Sequence, residues 1–185
     1  SGQQVYEGKY NFAGNFWQGL ARVSNGKKWG YISKSDMTAI DYKFDWAGDF
    51  CDGIAKVQTV GKSLKTLYID TLGKQKFSGE FENGEDFSDG MAAVFNGKAW
   101  SYIDINGREI CSFCWEEAGD FSDGVAPVKK NNKWQFIDRN GNNAFNAVFD
   151  EAMSFSEGMA GIRLGNKWGY IDRKGDVIVR PQFSE

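Results

Sequence analysis

The chain has 185 residues and a formal net charge of -3, enough length for one domain whose core needs neither disulfides nor a metal. Aromatic residues make up 16% and glycine is frequent (23) while proline is nearly absent (2), a composition of short strands joined by tight turns rather than of helices. No Lys/Arg cluster exceeds a pair, which argues against nucleic acid as a partner, and no apolar run approaches the roughly 18 residues of a membrane span.

In chain order, Ser1-Gly2 reads as a cloning scar, and residues 1 to 9 read as the tail of a unit preceding Tyr10. This end lacks the charged-then-apolar order of a signal peptide and leaves the compartment open. The block Phe16 to Val23 (FWQGLARV) then recurs as Phe50 to Val57 (FCDGIAKV), Phe87 to Val94 (FSDGMAAV), Phe121 to Val128 (FSDGVAPV) and Phe155 to Ile162 (FSEGMAGI). The leading phenylalanines are spaced 34, 37, 34 and 34 residues apart. A second block follows each first one, as Trp29-Gly30-Tyr31-Ile32, Thr66-Leu67-Tyr68-Ile69, Trp100-Ser101-Tyr102-Ile103, Trp134-Gln135-Phe136-Ile137 and Trp168-Gly169-Tyr170-Ile171. The second copy carries a three-residue insertion and threonine in place of tryptophan. After it come Asp-x-x-Gly turns ending at Gly73, Gly107, Gly141 and Gly175, and then a stretch closing on Phe44, Phe81, Trp115, Phe149 and Phe183.

Fixed-period similarity of this kind means a repeat architecture. With its FxxGxAxV block followed by Lys167-Trp168-Gly169-Tyr170-Ile171-Asp172, and Lys28-Trp29-Gly30-Tyr31-Ile32 earlier, the chain resembles the bacterial WG-repeat family over nearly its whole length. The match is weakened at Ser101 and Gln135, which replace the glycine. The resemblance implies a β-repeat module and little about its task.

The residues themselves predict an all-β fold of five tandem units of about 34 residues, each of three strands, at roughly 10–43, 44–80, 81–114, 115–148 and 149–182, with 1–9 and 183–185 as parts of flanking units. One such hairpin cannot bury its apolar faces alone, so neighbouring units must stack. The units are shorter than propeller blades of about 40 to 50 residues, which favours an open curved array of stacked hairpins over a closed five-bladed ring.

Candidate chemistry is sparse. There is no histidine, the usual proton-transfer residue near neutral pH. Asp49, Asp86 and Asp120, and Asp70, Asp104, Asp138 and Asp172, recur in unit after unit, and accepting backbone N–H bonds at turns is the plainer account of them than a catalytic dyad or a calcium site. No catalytic residue, cofactor or metal is therefore expected. Cys111 and Cys114 have C-x-x-C spacing, either as a structural or redox pair or as ordinary strand residues. Trp29, Trp100, Trp134 and Trp168 hold the repeated position and are expected in the core.

Phe12, Trp17 and Trp46 differ, because later units place serine, asparagine or glutamate at the positions of Trp17 and Trp46. They predict an exposed apolar patch on the first two units, for a partner or for a neighbouring repeat. The insertion, Gln58, Thr59, Val60, Gly61 and Lys62 onward to Lys65, is expected as a loop that sets specificity or has merely drifted. The expectation is a non-enzymatic module that binds a protein partner, within a larger effector, toxin or immunity protein. A module binding cell-wall carbohydrate at repeat junctions is the second reading.

Overall fold

The computed structural model describes residues 10–35 and 37–184; the tail read into residues 1–9 lies outside them. The chain divides into two units, 1–82 and 83–185, built from the same antiparallel meander. The first unit holds sheet 1, with strands β1 (Phe12–Trp17), β2 (Leu20–Ser24), β3 (Trp29–Ser33) and β4 (Thr38–Phe44). Sheet 2 follows with β5 (Trp46–Ala47), β6 (Ile54–Val60) and β7 (Leu64–Asp70).

In the second unit, sheet 3 has β8 (Asn83–Gly84), β9 (Met91–Phe95) and β10 (Trp100–Asp104), and sheet 4 has β11 (Glu117–Ala118), β12 (Val125–Lys130) and β13 (Lys133–Asp138). Sheet 5 has β14 (Glu151–Ala152), β15 (Met159–Leu164), β16 (Lys167–Asp172) and β17 (Val177–Phe183). Strands lie in sequence order in every sheet, and no sheet closes into a barrel. The fold is all-β and repeats five times, as the spacing predicts.

The three strands expected per unit gain a short first strand, which pairs with the second across a turn whose two central residues both have positive φ, such as Asp123 (56°) and Gly124 (85°). This is the geometry that fits the twist of a two-residue hairpin loop, and it accounts for the Asp-Gly, Gln-Gly and Glu-Gly pairs of the first block. The Asp-x-x-Gly turns are closed by the aspartate: Asp104 Oδ1 accepts from the backbone N of Asn106 and of Arg108, both at 2.8 Å, and Asp70, Asp138 and Asp172 do the same in their sheets.

The glycine of the Trp-Gly pair decides the fourth strand. A Cβ on Gly30 would lie 2.5 Å from Ile40 O, and one on Gly169 would lie 2.5 Å from Val179 O, so only glycine admits the close passage of β4 and β17. Both strands pair with a register shift at that point. Where the position is Leu67, Ser101 or Gln135, the same stretch forms β-bridges with its neighbour at its two ends, as Trp100↔Trp115 with Ile103↔Glu109 and as Trp134↔Phe149 with Ile137↔Asn143. Between those bridges it leaves the ladder and arches.

Packing between adjacent sheets also repeats. The leading phenylalanine of one sheet meets the tyrosine of the sheet before it, Phe50 on Tyr31 at 4.8 Å and Phe121 on Tyr102 at 4.9 Å, both edge-on. The hydroxyls of Tyr31 and Tyr102 donate to Gly48 O and Gly119 O, and burial with Asp120 nearby raises the Tyr102 pKa strongly. Phe136 keeps the ring contact with Phe155 at 5.3 Å and forgoes the hydrogen bond. Phe121 is 1% exposed, whereas Phe16, which leads sheet 1, is 40% exposed. Full burial of such a ring contributes about 2–3 kcal/mol.

The lysine of the repeated block is an anchor between sheets. Lys28 pairs with Asp45 at 2.6 Å, Lys65 with Glu82, and Lys133 with Asp150. Asp45 and Asp150 also accept from the hairpin of the following sheet, at Val60 N (2.8 Å) and Gly165 N (2.6 Å). Lys28, then Val60 N, hold the Asp45 carboxyl below its usual range, and Lys133 and Gly165 N do so for Asp150. In sheet 3 alanine (Ala99) replaces the lysine, and Glu116 accepts from Asn131 N and Asn132 N instead.

Candidate functional site

One rung of each sheet, at the end nearest the hairpin between its second and third strands, joins two variable positions to the repeated tryptophan position and the closing aromatic. In sheet 1 the rung is Phe12, Ser24, Trp29 and Phe44, set by the pairs Phe12↔Ser24, Ser24↔Trp29 and Trp29↔Phe44. In sheet 2 it is Trp46, Gln58, Thr66 and Phe81. The repeated tryptophans expected in the core are half-buried here, Trp29, Trp100 and Trp134 packed against it, and Thr66 is fully buried in the place of the missing indole.

Arg22 links the two rungs. Its guanidinium lies 5.5 Å from the Phe12 ring, 5.8 Å from Trp29 and 5.9 Å from Trp46, within cation–π range of all three. Its Nη1 donates to Ala47 O at 3.0 Å, and its Nε stands 3.1 Å from Asp49 Oδ1. Asp49 is thus an ion-pair partner rather than a turn cap. Lys56 lies 5.4 Å from the Trp46 ring on the next sheet. The arrangement joins Phe12 and Trp46, as the sequence suggested, through an arginine that it did not single out. The available signal was that later units place lysine, alanine, proline and glycine at the Arg22 position.

Two expectations change. Trp46 is half-buried rather than solvent-facing, because Arg22 and Lys56 cover it, while Phe12 is 44% exposed. Trp17 is 52% exposed but stands at the opposite end of β1 from Phe12, five residues or roughly 17 Å along the strand. It does not join the others.

The Gln58 to Lys65 insertion is also not a loop. Gln58↔Thr66, Thr59↔Lys65 and Val60↔Leu64 continue the β6–β7 ladder, which leaves only 61–63 as the turn. β-branched Thr59 and Val60 suit a strand, and added residues lengthen a hairpin at little cost when its ladder continues. Val60 (61%) and Leu64 (44%) are exposed at its tip. Gln58 pairs with Trp46, so the hairpin rises directly from the aromatic rung.

The second unit has a different surface at the equivalent rungs. Glu117, Lys129 and Trp134 in sheet 4, and Glu151, Arg163 and Trp168 in sheet 5, line an open cleft of about 610 Å³. Each acid is tied to its base, Glu117 to Lys129 at 2.6 Å and Glu151 to Arg163. The bond to Glu117 raises the Lys129 pKa and keeps the ammonium charged. Cys111 and Cys114 lie elsewhere, in the arch of sheet 3, with their Sγ atoms 2.9 Å apart and no disulfide between them; burial pushes the Cys114 pKa up to about 12. Among the described residues no three His, Cys, Asp or Glu side chains gather to hold a metal, and no helix is long and apolar enough to cross a membrane.

A model of the WG containing repeat matches residues 1–29, 29–62, 68–98, 100–134, 136–168 and 168–185. No curated protein matches the chain. Among solved structures, Hsv2 of Kluyveromyces marxianus is similar at 11% identity and a TM-score of 0.50, over 87% of this chain and 60% of that one. Hsv2 of Kluyveromyces lactis is similar at 11% and 0.49, over 87% and 58%. The chain therefore spans about three fifths of these relatives' length, and at 11% identity the first likeness is one of fold alone. A protein of unknown function from Bacteroides caccae is similar at 15% and 0.35, over 94% and 82%.

Proposed function

The chain belongs to the WG containing repeat family, and from that premise we propose that it is a non-enzymatic interaction module that binds a protein partner through its first unit. The reading is carried by one observation: the lengthened β6–β7 hairpin presents Val60 and Leu64 to solvent beside the Phe12–Arg22–Trp46 stack. Apolar side chains at a strand tip are held open at a cost in solubility, and a rigid aromatic rung with a fixed guanidinium is the kind of pre-organised anchor that concentrates binding energy. Nothing in this surface resembles a proton-transfer pair, since Asp49 is neutralised by Arg22 and Asp45 by Lys28.

The test is affinity capture with the chain and with a Val60→Asp, Leu64→Asp double variant at the exposed hairpin tip, its fold checked by circular dichroism. A bound protein lost from the folded variant, and recovered with a control variant at Trp17, supports the site. Proteins captured equally by all three place recognition elsewhere.

A further inference from the structure

We propose that the cleft between sheets 4 and 5 is a second, separate site, and that it takes a short neutral oligosaccharide. Its volume of about 610 Å³ falls within the roughly 300–1,000 Å³ of small-ligand sites. Its two rungs present the same order of acid, base and indole: Glu117, Lys129, Trp134 on one wall and Glu151, Arg163, Trp168 on the other, in register through Glu117↔Lys129↔Trp134 and Glu151↔Arg163↔Trp168.

Charge selects the ligand class. Every carboxylate on these rungs is matched by a cation, so an ionic ligand would have to break an ion pair in order to form one. An apolar peptide would strip water from the same pairs without replacing it. A sugar hydroxyl both donates and accepts, so it bridges an acid and a base while leaving their pairing intact, and the C–H face of a pyranose ring lies flat on an indole.

Substitution within the repeat explains why the cleft opens here. In sheet 1 the space over Trp29 is taken by the Arg22 guanidinium, which is admitted because Gly14 faces it, a Cβ there meeting Arg22 Cγ at 2.9 Å. In sheet 5 the pair is inverted. Gly161 stands at the Arg22 position and Met153 at the Gly14 position, so no side chain from the Arg22 position crosses Trp168, and the flexible Met153 thioether lies beside the gap, its Sδ 3.3 Å from where a Gly161 Cβ would be.

The experiment is isothermal calorimetry of the whole chain with maltotriose, cellotriose and chitotriose, beside a Met153→Gly, Gly161→Arg double variant that transplants the sheet 1 pair and lays a guanidinium over Trp168. Saturable binding of at least one trisaccharide, weakened about tenfold or more in the double variant, is expected. A Trp134→Phe variant, which keeps an aromatic ring and the packing, should weaken it severalfold and guards against misfolding of the double variant. No saturable heat with any trisaccharide overturns the proposal, as does unaltered binding in both variants. Tighter, salt-sensitive binding of an acidic control such as trigalacturonic acid also overturns it. Val60→Asp, Leu64→Asp leaves this cleft untouched, so the two sites fail or stand separately.

Discussion

Sheets 1 and 5 solve the same packing problem as sheets 2, 3 and 4 in a different way. All five run six residues from the second bridge of the fourth stretch to its closing aromatic, Thr38 to Phe44 and Val177 to Phe183 in the first group, Gln75 to Phe81, Glu109 to Trp115 and Asn143 to Phe149 in the second. With glycine at position 30 or 169 those residues lie flat as a bulged strand. With Leu67, Ser101 or Gln135 they arch, and the side chain that Ile40 supplies to the core of sheet 1 is supplied from the arch by Phe77, Cys111 or Phe145. A single Cβ thus selects between an ordered edge strand and an arch without changing the length of the repeat.

The strongest way to break that comparison is to put a side chain where the glycine is. Gly169→Gln should cost about 2–4 kcal/mol in chemical denaturation, since its Cβ would meet Val179 O at 2.5 Å and β17 must lift away. The reverse change, Gln135→Gly, should stay within about 1 kcal/mol. Equal costs would mean that the glycine is not what lays the strand flat. Next in size, Phe145→Ala should cost about 2 kcal/mol, because its ring packs on Phe136 at 5.5 Å and on Phe155 at 6.1 Å, while Val179→Ala at the matching position of sheet 5 should cost about 1 kcal/mol. If Phe145→Ala were silent, the arch would be a surface loop rather than part of the core.

Much of this was legible in the sequence because a repeat is its own alignment. The period, the all-β character and the aspartate-capped turns follow from residue types recurring at fixed offsets. Two things were not legible. The short first strand spans only two residues in four sheets and leaves no alternation to read. The candidate surfaces depend on what faces a position across strands: Phe12 and Trp46 are joined by Arg22 from a different strand, and the sheet 4–5 cleft arises from an exchange between Met153 and Gly161 that is invisible until their strands are paired. The inserted residues misled for the opposite reason. Gln58 to Lys65 carry few turn residues, which is itself the mark of a hairpin that kept its ladder.

A smaller effect separates sheets with the lysine anchor from sheet 3, which has Ala99. Asp45 and Asp150 have lowered pKa values in the folded chain, so their stabilisation is complete above the usual carboxylate range near 3.8 and is lost as pH falls through the lowered values. Asp45→Asn should therefore lower stability at pH 7 and flatten the acid limb of a melting-temperature profile below about pH 4. An unchanged acid limb would show that the Lys28 pair is solvated and adds nothing to stability.

The smallest expected effect probes the arch of sheet 3 without perturbing it. Cys51 is exposed beside a turn, whereas Cys114 is held in the arch with its pKa pushed up to about 12 by burial and by its bond to Cys111. Only the thiolate alkylates, and at pH 8 a thiol of that pKa is ionised to about one part in 10,000. Iodoacetamide at pH 8 should label Cys51 first and Cys114 at least about tenfold more slowly, by peptide mass mapping, with the gap narrowing as pH rises. Ser101 occupies the position that glycine holds in sheets 1 and 5, and it bonds to the Cys111 carbonyl. A Ser101→Gly variant that exposed Cys114 to reagent would show that this side chain, besides excluding a flat strand, fastens the arch that replaces it.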